Sequence, residues 1–292
     1  MSTLGWIVII TTIAGVGGTG IGGAIGAFFK KDSSKIVSLL LSFAAGVMLA
    51  VVCFDMVPNS FEPEGSDETI SIWFVVLGIV LGYGIIFLFN YWIDKSTNHE
   101  VRHIDNSHPK TADDLDELIH ADHYEEHKIQ ETMNQNDINS RYQLFLAGVV
   151  MACAIALHNL PEGMVIGATY AKDTTQIFSG SGLIIAIVIA LHNIPEGMAV
   201  AVPLMAGGMK KGKAIILTAL SGAPTIIGAI IGLELGLLSP LWLSLSLSFA
   251  SGAMLYVVFG ELLPEAILMF RSKLPAFFVM IGTLTGLILV NI

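Results

Sequence analysis

Apolar runs of roughly 20 residues recur along the whole chain, each long enough to cross the hydrocarbon of a bilayer as a helix. Backbone in lipid must satisfy its own hydrogen bonds, so only helices or a closed barrel can span it, and runs of this length select helices. Charged residues make up 13% of the 292-residue chain, against about 25% in a soluble domain. The pattern predicts an all-α integral membrane protein, one transmembrane domain over residues 1–292. Its eight transmembrane spans fall at 5–29, 36–58, 70–93, 142–168, 182–206, 212–236, 241–267 and 275–291. The first run is full span in length and lacks a basic segment before it, so it reads as span 1 and not as a cleavable leader. Cys53 and Cys153 both fall within apolar runs and read as small core residues, with no thiolate cluster to be built from them.

Orientation follows from the basic residues. Of the 14 Lys and Arg, all but Lys172 lie in the stretches at 30–35, 94–141, 207–213 and 270–274. The positive-inside rule places those stretches in the cytoplasm and both termini on the extracytoplasmic side.

Two internal repeats organise the spans. "ALHNLPEG" at 156–163 recurs as "ALHNIPEG" at 190–197. A second likeness runs at an offset of 206 residues: "SFAAGVML" at 42–49 matches "SFASGAML" at 248–255, and Asp55 and Pro58 match Glu261 and Pro264. At the same offset Thr12, Thr19, Gly22 and Gly26 fall on Thr218, Thr225, Gly228 and Gly232, and a two-residue slip pairs Gly78 and Gly82 with Gly282 and Gly286. Spans 1–3 therefore repeat as spans 6–8 around a related central pair, a 3+2+3 arrangement. An odd number of spans separates the copies, so the repeat is inverted, as in secondary transporters whose sites lie near midplane at interrupted helices.

The central pair carries the chemistry. A carboxylate at membrane depth faces a partner or water and marks a pathway. His158 and Glu162 stand one helical turn apart on one face, with Asn159 displaced from it. Pro161 has no N–H, so the carbonyl of Leu157 loses its helical partner and the helix is expected to kink. His192, Asn193, Pro195 and Glu196 repeat the device in span 5. Imidazole, carboxylate and amide oxygen together suit Zn²⁺, with Fe²⁺, Mn²⁺, Co²⁺ and Cd²⁺ also served. A proton relay or a buried ion pair would use the same residue types.

The paired "HNLPEG" and "HNIPEG", with the "SFAAGVML" and "SFASGAML…ELLPE" stretches, resemble the ZIP family of divalent metal transporters. The likeness covers nearly the whole membrane part. It implies uptake of Zn²⁺ or a related metal into the cytoplasm across the plasma membrane, with the metal as substrate and no organic cofactor. Carried over by position, His158, Glu162 and Glu196 match primary metal ligands, and Asn159 and Asn193 match a neighbouring second site. His192 matches a position that varies among members. Asp55 matches an acid at the entrance, and Asp94 and Glu261 match acids near the exit. One departure is Ala223, which stands before Pro224 where members with two metals often carry a glutamate; Glu234, farther on, lies near the outer end. The expected partners are divalent metal ions, the lipid bilayer and a second copy of the chain in a homodimer, and not nucleic acid.

Six of the eight histidines lie in the acidic cytoplasmic loop 95–141, inserted between spans 3 and 4. His120, His123 and His127 would share one face if that stretch were helical. The loop reads either as a solvated linker or as a weak metal acceptor at the inner mouth. The outer stretch "NSFEPEGSDET" adds Glu62, Glu64, Asp67 and Glu68, which can concentrate cations beside Asp55 or simply solvate a loop. An intramembrane zinc-dependent enzyme and a metal sensor are the competing functions. An enzyme needs a general base on an open metal, and His158-x-x-x-Glu162 is not the HExxH arrangement, so no enzymatic role is expected.

Overall fold

The computed structural model describes residues 2–28, 34–62, 69–97, 138–172 and 174–291. Among them every regular element is helical. In chain order the helices are α1 Thr3–Gly26, α2 Lys35–Phe61, α3 Ile72–Thr97, α4 Ile138–Lys172, α5 Ser181–Ala206, α6 Lys211–Leu238, α7 Pro240–Met269 and α8 Leu274–Val290. The first seven are long and apolar enough to cross a membrane, and α8 is a shorter apolar helix of 17 residues. The protein is thus an all-α membrane protein, with helices within a few residues of the predicted spans.

Local chemistry sets the ends. Ser2 caps α1 by accepting from the Gly5 N–H, and Ser239 caps α7 by accepting from the Trp242 N–H, with Pro240 in the first turn where its missing N–H costs nothing. Gly208, at φ 94°, takes the left-handed conformation that ends α5 and turns the chain into α6.

Packing follows the repeat. α5 lies on α1 as α4 lies on α6, while α2 pairs with α8 and α3 with α7. The contact points correspond residue by residue. Gly22 sits against the Ile194 carbonyl and Gly228 against the Leu160 carbonyl; Gly197 meets the Thr19 carbonyl and Gly163 the Thr225 carbonyl. A Cβ at any of these glycines would collide with backbone, so hydrogen is the only side chain that permits these approaches. In the outer pairs the glycine register differs from that predicted. Gly82 meets the Phe249 carbonyl as Gly282 meets the Phe43 carbonyl, and Gly252 meets Ile79 as Gly46 meets Val279. Gly82 therefore corresponds to Gly282 and not to Gly286. The glycine spacing alone misled, because Gly78 and Gly286 press against side chains, Ser248 and Ala50, outside the shared pattern.

Three helices are underwound locally into π-turns: Ile13–Gly17 in α1, Val52–Met56 in α2 and Val257–Leu262 in α7. The last two fall at equivalent repeat positions, each just before a proline, Pro58 or Pro264. A proline ring clashes with the carbonyl four residues back, and one extra residue in the preceding turn relieves that clash. The same insertion rotates Asp55 and Glu261 relative to a regular helix. By contrast, α4 and α5 remain α-helical through Pro161 and Pro195. Their partner helices change winding instead, at the α1 π-turn and at the Gly222–Ala223 turn within α6. The two cysteines, expected in the core, are exposed on the outer surface of the bundle as free thiols.

Candidate metal site

α4 and α5 cross antiparallel, so the start of one motif meets the end of the other. His158 Nε2 lies 3.2 Å from Glu196 Oε2, and His192 Nε2 lies 2.8 Å from Glu162 Oε1. All four side chains are at most 2% exposed. Each histidine meets one oxygen of its carboxylate; Glu162 Oε2 and Glu196 Oε1 are buried without a hydrogen-bond partner. Charge buried in this way is costly unless a cation or further donors compensate it. One ligand atom each from His158, Glu162 and Glu196 lie within 4.8 Å of one another. Donors about 2.1 Å from a tetrahedral Zn²⁺ stand about 3.4 Å apart, so small side-chain movements close the set on an ion.

Such a set, on a repeated pair of apolar helices, is joined by a direct comparison: a family model described as ZIP Zinc transporter matches residues 3–291. The chain belongs to the ZIP family. Among relatives it is 33% identical to the zinc transporter ZupT of Clostridium perfringens, covering 88% of this chain and 85% of that one. It is 35% identical to the ZupT of Campylobacter jejuni, with 88% and 86% covered. The ZupT of an Enterobacter strain is 30% identical over 97% of this chain and 95% of its own.

Within this ZIP chain the two asparagines are held differently. Asn159 Nδ2 donates to the carbonyls of Ile155 and Ser221, at 2.9 and 3.3 Å. Its Oδ1 accepts from Thr225 Oγ1 at 2.8 Å and from Asn193 Nδ2 at 3.3 Å. Asn193 Nδ2 also donates to the Ala14 carbonyl at 3.2 Å. Ala14 lies in the α1 π-turn and Ser221 at the α6 break, so the asparagines satisfy carbonyls that those two interruptions leave open. Asn193 Oδ1 has no hydrogen-bond partner. Of the two amide oxygens expected near metal, that of Asn193 is open and that of Asn159 is taken. Thr225 was not among the residues singled out for the site, although its pairing with Thr19 in the repeat was the available signal.

Glu261, expected at the exit, stands against the site itself. Its Oε2 is 3.5 Å from His158 Nδ1, so that imidazole lies between Glu196 and Glu261. A helix of regular pitch gave no reason to expect this; the π-turn supplies it. Asp55, its repeat counterpart, accepts from Asn59 Nδ2 at 2.9 Å one turn along α2. Ala223 caps the second segment of α6 and Glu234 is exposed, so neither adds a carboxylate to the cluster. Asp94 belongs to the last turns of α3, but its side chain lies outside the described residues. His120, His123 and His127 lie outside them as well, as do Glu64, Asp67 and Glu68.

Proposed function

We propose that this protein carries divalent transition-metal ions, Zn²⁺ foremost, through the plasma membrane into the cytoplasm. The observation that carries the reading is the pair of partnerless carboxylate oxygens on Glu162 and Glu196, buried beside His158 in a chain of the ZIP family. All eight helices span the bilayer, α8 included, with both termini extracytoplasmic and loop 95–141 in the cytoplasm. The working unit is a homodimer. Fe²⁺, Mn²⁺, Co²⁺ and Cd²⁺ suit the same donors.

The chemistry follows from the side chains. Asp55 and the acids of the 59–69 stretch draw cations to the outer mouth. At midplane Glu162 Oε2 and Glu196 Oε1 supply anionic oxygens, and His158 Nε2 turns from Glu196 to the ion. His192, already 2.8 Å from Glu162, orients that carboxylate or joins the set, and Asn193 Oδ1 is the neutral donor within reach. Release runs past Glu261 and Asp94 towards the loop histidines. Because Asn159 Oδ1 is occupied and Ala223 brings no carboxylate, the site holds one ion firmly. Imidazole and carboxylate ligands exchange fast enough for a carrier, where a thiolate cage would retain the metal.

The test is uptake by purified protein in tight proteoliposomes, followed with a Zn²⁺ indicator inside. Saturable Zn²⁺ entry that Cd²⁺ and Fe²⁺ inhibit supports the reading. Vesicles that admit no more of these metals than protein-free controls would overturn it, and would turn attention to a sensor that binds without transport.

A further inference from the structure

Glu261 reaches α4 while Asp55 bonds along its own helix, and the packing around the preceding turn differs between them. Tyr256 is the last residue of regular α-helix before the Val257–Leu262 π-turn and is buried. Its hydroxyl accepts from Asn90 Nδ2 at 2.9 Å. Tyr83 and Phe87 meet its ring edge to face, with centroids 5.3 and 6.0 Å away. Tyr83, Phe87 and Asn90 follow one another by four and three residues, so a single face of α3 supplies all three contacts. Gly260, directly before Glu261, lies against the same ring; a Cβ there would stand 2.9 Å from Tyr256 Cε2. The ring thus touches both α3 and the turn that presents the carboxylate. At the repeat offset α2 has Ala50 where α7 has Tyr256, and an exposed Phe54 where α7 has Gly260. The half in which this ring links α3 to the turn sends its acid to His158, while in the other half Asp55 accepts from Asn59.

We propose that Asn90 and Tyr256 form a clamp that fixes the α7 π-turn and holds Glu261 beside His158, making both of them positioning residues for metal release. The inference rests on the transport reading above. With the clamp closed, an ion leaving His158 has an anion one ligand length away on the exit side. Tyr256 itself touches no metal: it acts through Glu261.

The experiment is a double-mutant cycle on Zn²⁺ uptake in proteoliposomes, using Tyr256→Phe and Asn90→Leu with and without Glu261→Gln. Loss of one buried hydrogen bond corresponds to about a two- to tenfold change. Tyr256→Phe and Asn90→Leu each lower the maximal uptake rate by that factor, while half-saturating Zn²⁺ moves by less than about twofold. In the Glu261→Gln background the same substitutions change the rate by less than about twofold, because the group they position is already lost. Equal fold losses in both backgrounds would overturn the clamp and leave Tyr256 as packing. Tyr256→Phe keeps the ring, so it decides the question alone should Asn90→Leu fail to insert. A wild-type protein that moves no Zn²⁺ overturns the transport reading instead, which separates the two failures.

Discussion

The α4 and α5 halves of the site carry the same motif in different surroundings. On the α4 side, His158 stands between Glu196 and Glu261, and both polar ends of Asn159 are engaged. On the α5 side, His192 meets Glu162 and Asn193 Oδ1 is open, while the Nδ1 of neither histidine has a hydrogen-bond partner. The repeat explains why donors from α4 and α5 converge. The departures from it would give the proposed cage a direction: among the described residues, Glu261 is a further carboxylate beside His158. Stabilising bonds concentrate on Asn159, leaving its counterpart free for binding.

The largest effect expected is where the halves are equal. Glu162→Ala and Glu196→Ala each leave a buried histidine without its partner and remove an anionic oxygen, so Zn²⁺ uptake falls by more than about 100-fold in both. Transport that survived either change would mean that the ion passes elsewhere. The next effect separates the halves. His158→Ala raises half-saturating Zn²⁺ by about 10- to 100-fold, since it takes a ligand and the link to Glu261 together. His192→Ala costs about tenfold less, the loss of an orienting partner for Glu162. Equal losses would erase the proposed asymmetry and make His192 a full ligand.

Much of this architecture was legible in the residues. Apolar run lengths gave the helices, and the 34- and 206-residue offsets gave the pairing that Gly22, Gly228, Gly163 and Gly197 then realise in contact. The histidines and glutamates of the motif declared themselves because charge at membrane depth has so few explanations. What stayed hidden depended on backbone irregularity. A π-turn shifts every later side chain around the helix axis by one residue's rotation, and no periodicity argument reveals that shift. Glu261 was therefore expected near the exit and not beside His158. The glycine register of α3 and α8 failed for a related reason: several glycines in one helix offer more than one plausible alignment, and only the contacts choose.

The asparagines give a test on stability instead of rate. Four hydrogen bonds involve Asn159 and two involve Asn193, one being shared. At about 0.6 kcal/mol for each such bond in a membrane protein, Asn159→Ala lowers stability by about 2 kcal/mol and Asn193→Ala by about 1. Thermal unfolding in detergent reports the order. Zn²⁺ then sharpens it, because Asn193→Ala should gain less protection from added metal than wild type does, while Asn159→Ala keeps the wild-type gain. A reversed order in either measurement would assign the open oxygen to the wrong residue.

The smallest effect belongs to the acids at equivalent repeat positions. Glu261→Gln removes a charge 3.5 Å from His158, so it lowers the maximal rate several-fold under saturating metal. Asp55→Asn keeps an acceptor for Asn59 and removes a charge that attracts ions from solution. Its cost falls on encounter: half-saturating Zn²⁺ rises about twofold at low ionic strength, with the maximal rate unchanged. Such attraction is screened once the Debye length shrinks to about 3 Å near 1 M salt, so wild type and Asp55→Asn converge there. The Glu261→Gln deficit should persist, since a partly buried pair 3.5 Å apart is screened much less. A salt titration of both variants thus distinguishes an acid that gathers ions from one that receives them, and a salt-independent Asp55 defect would move Asp55 to the same role as its partner in the repeat.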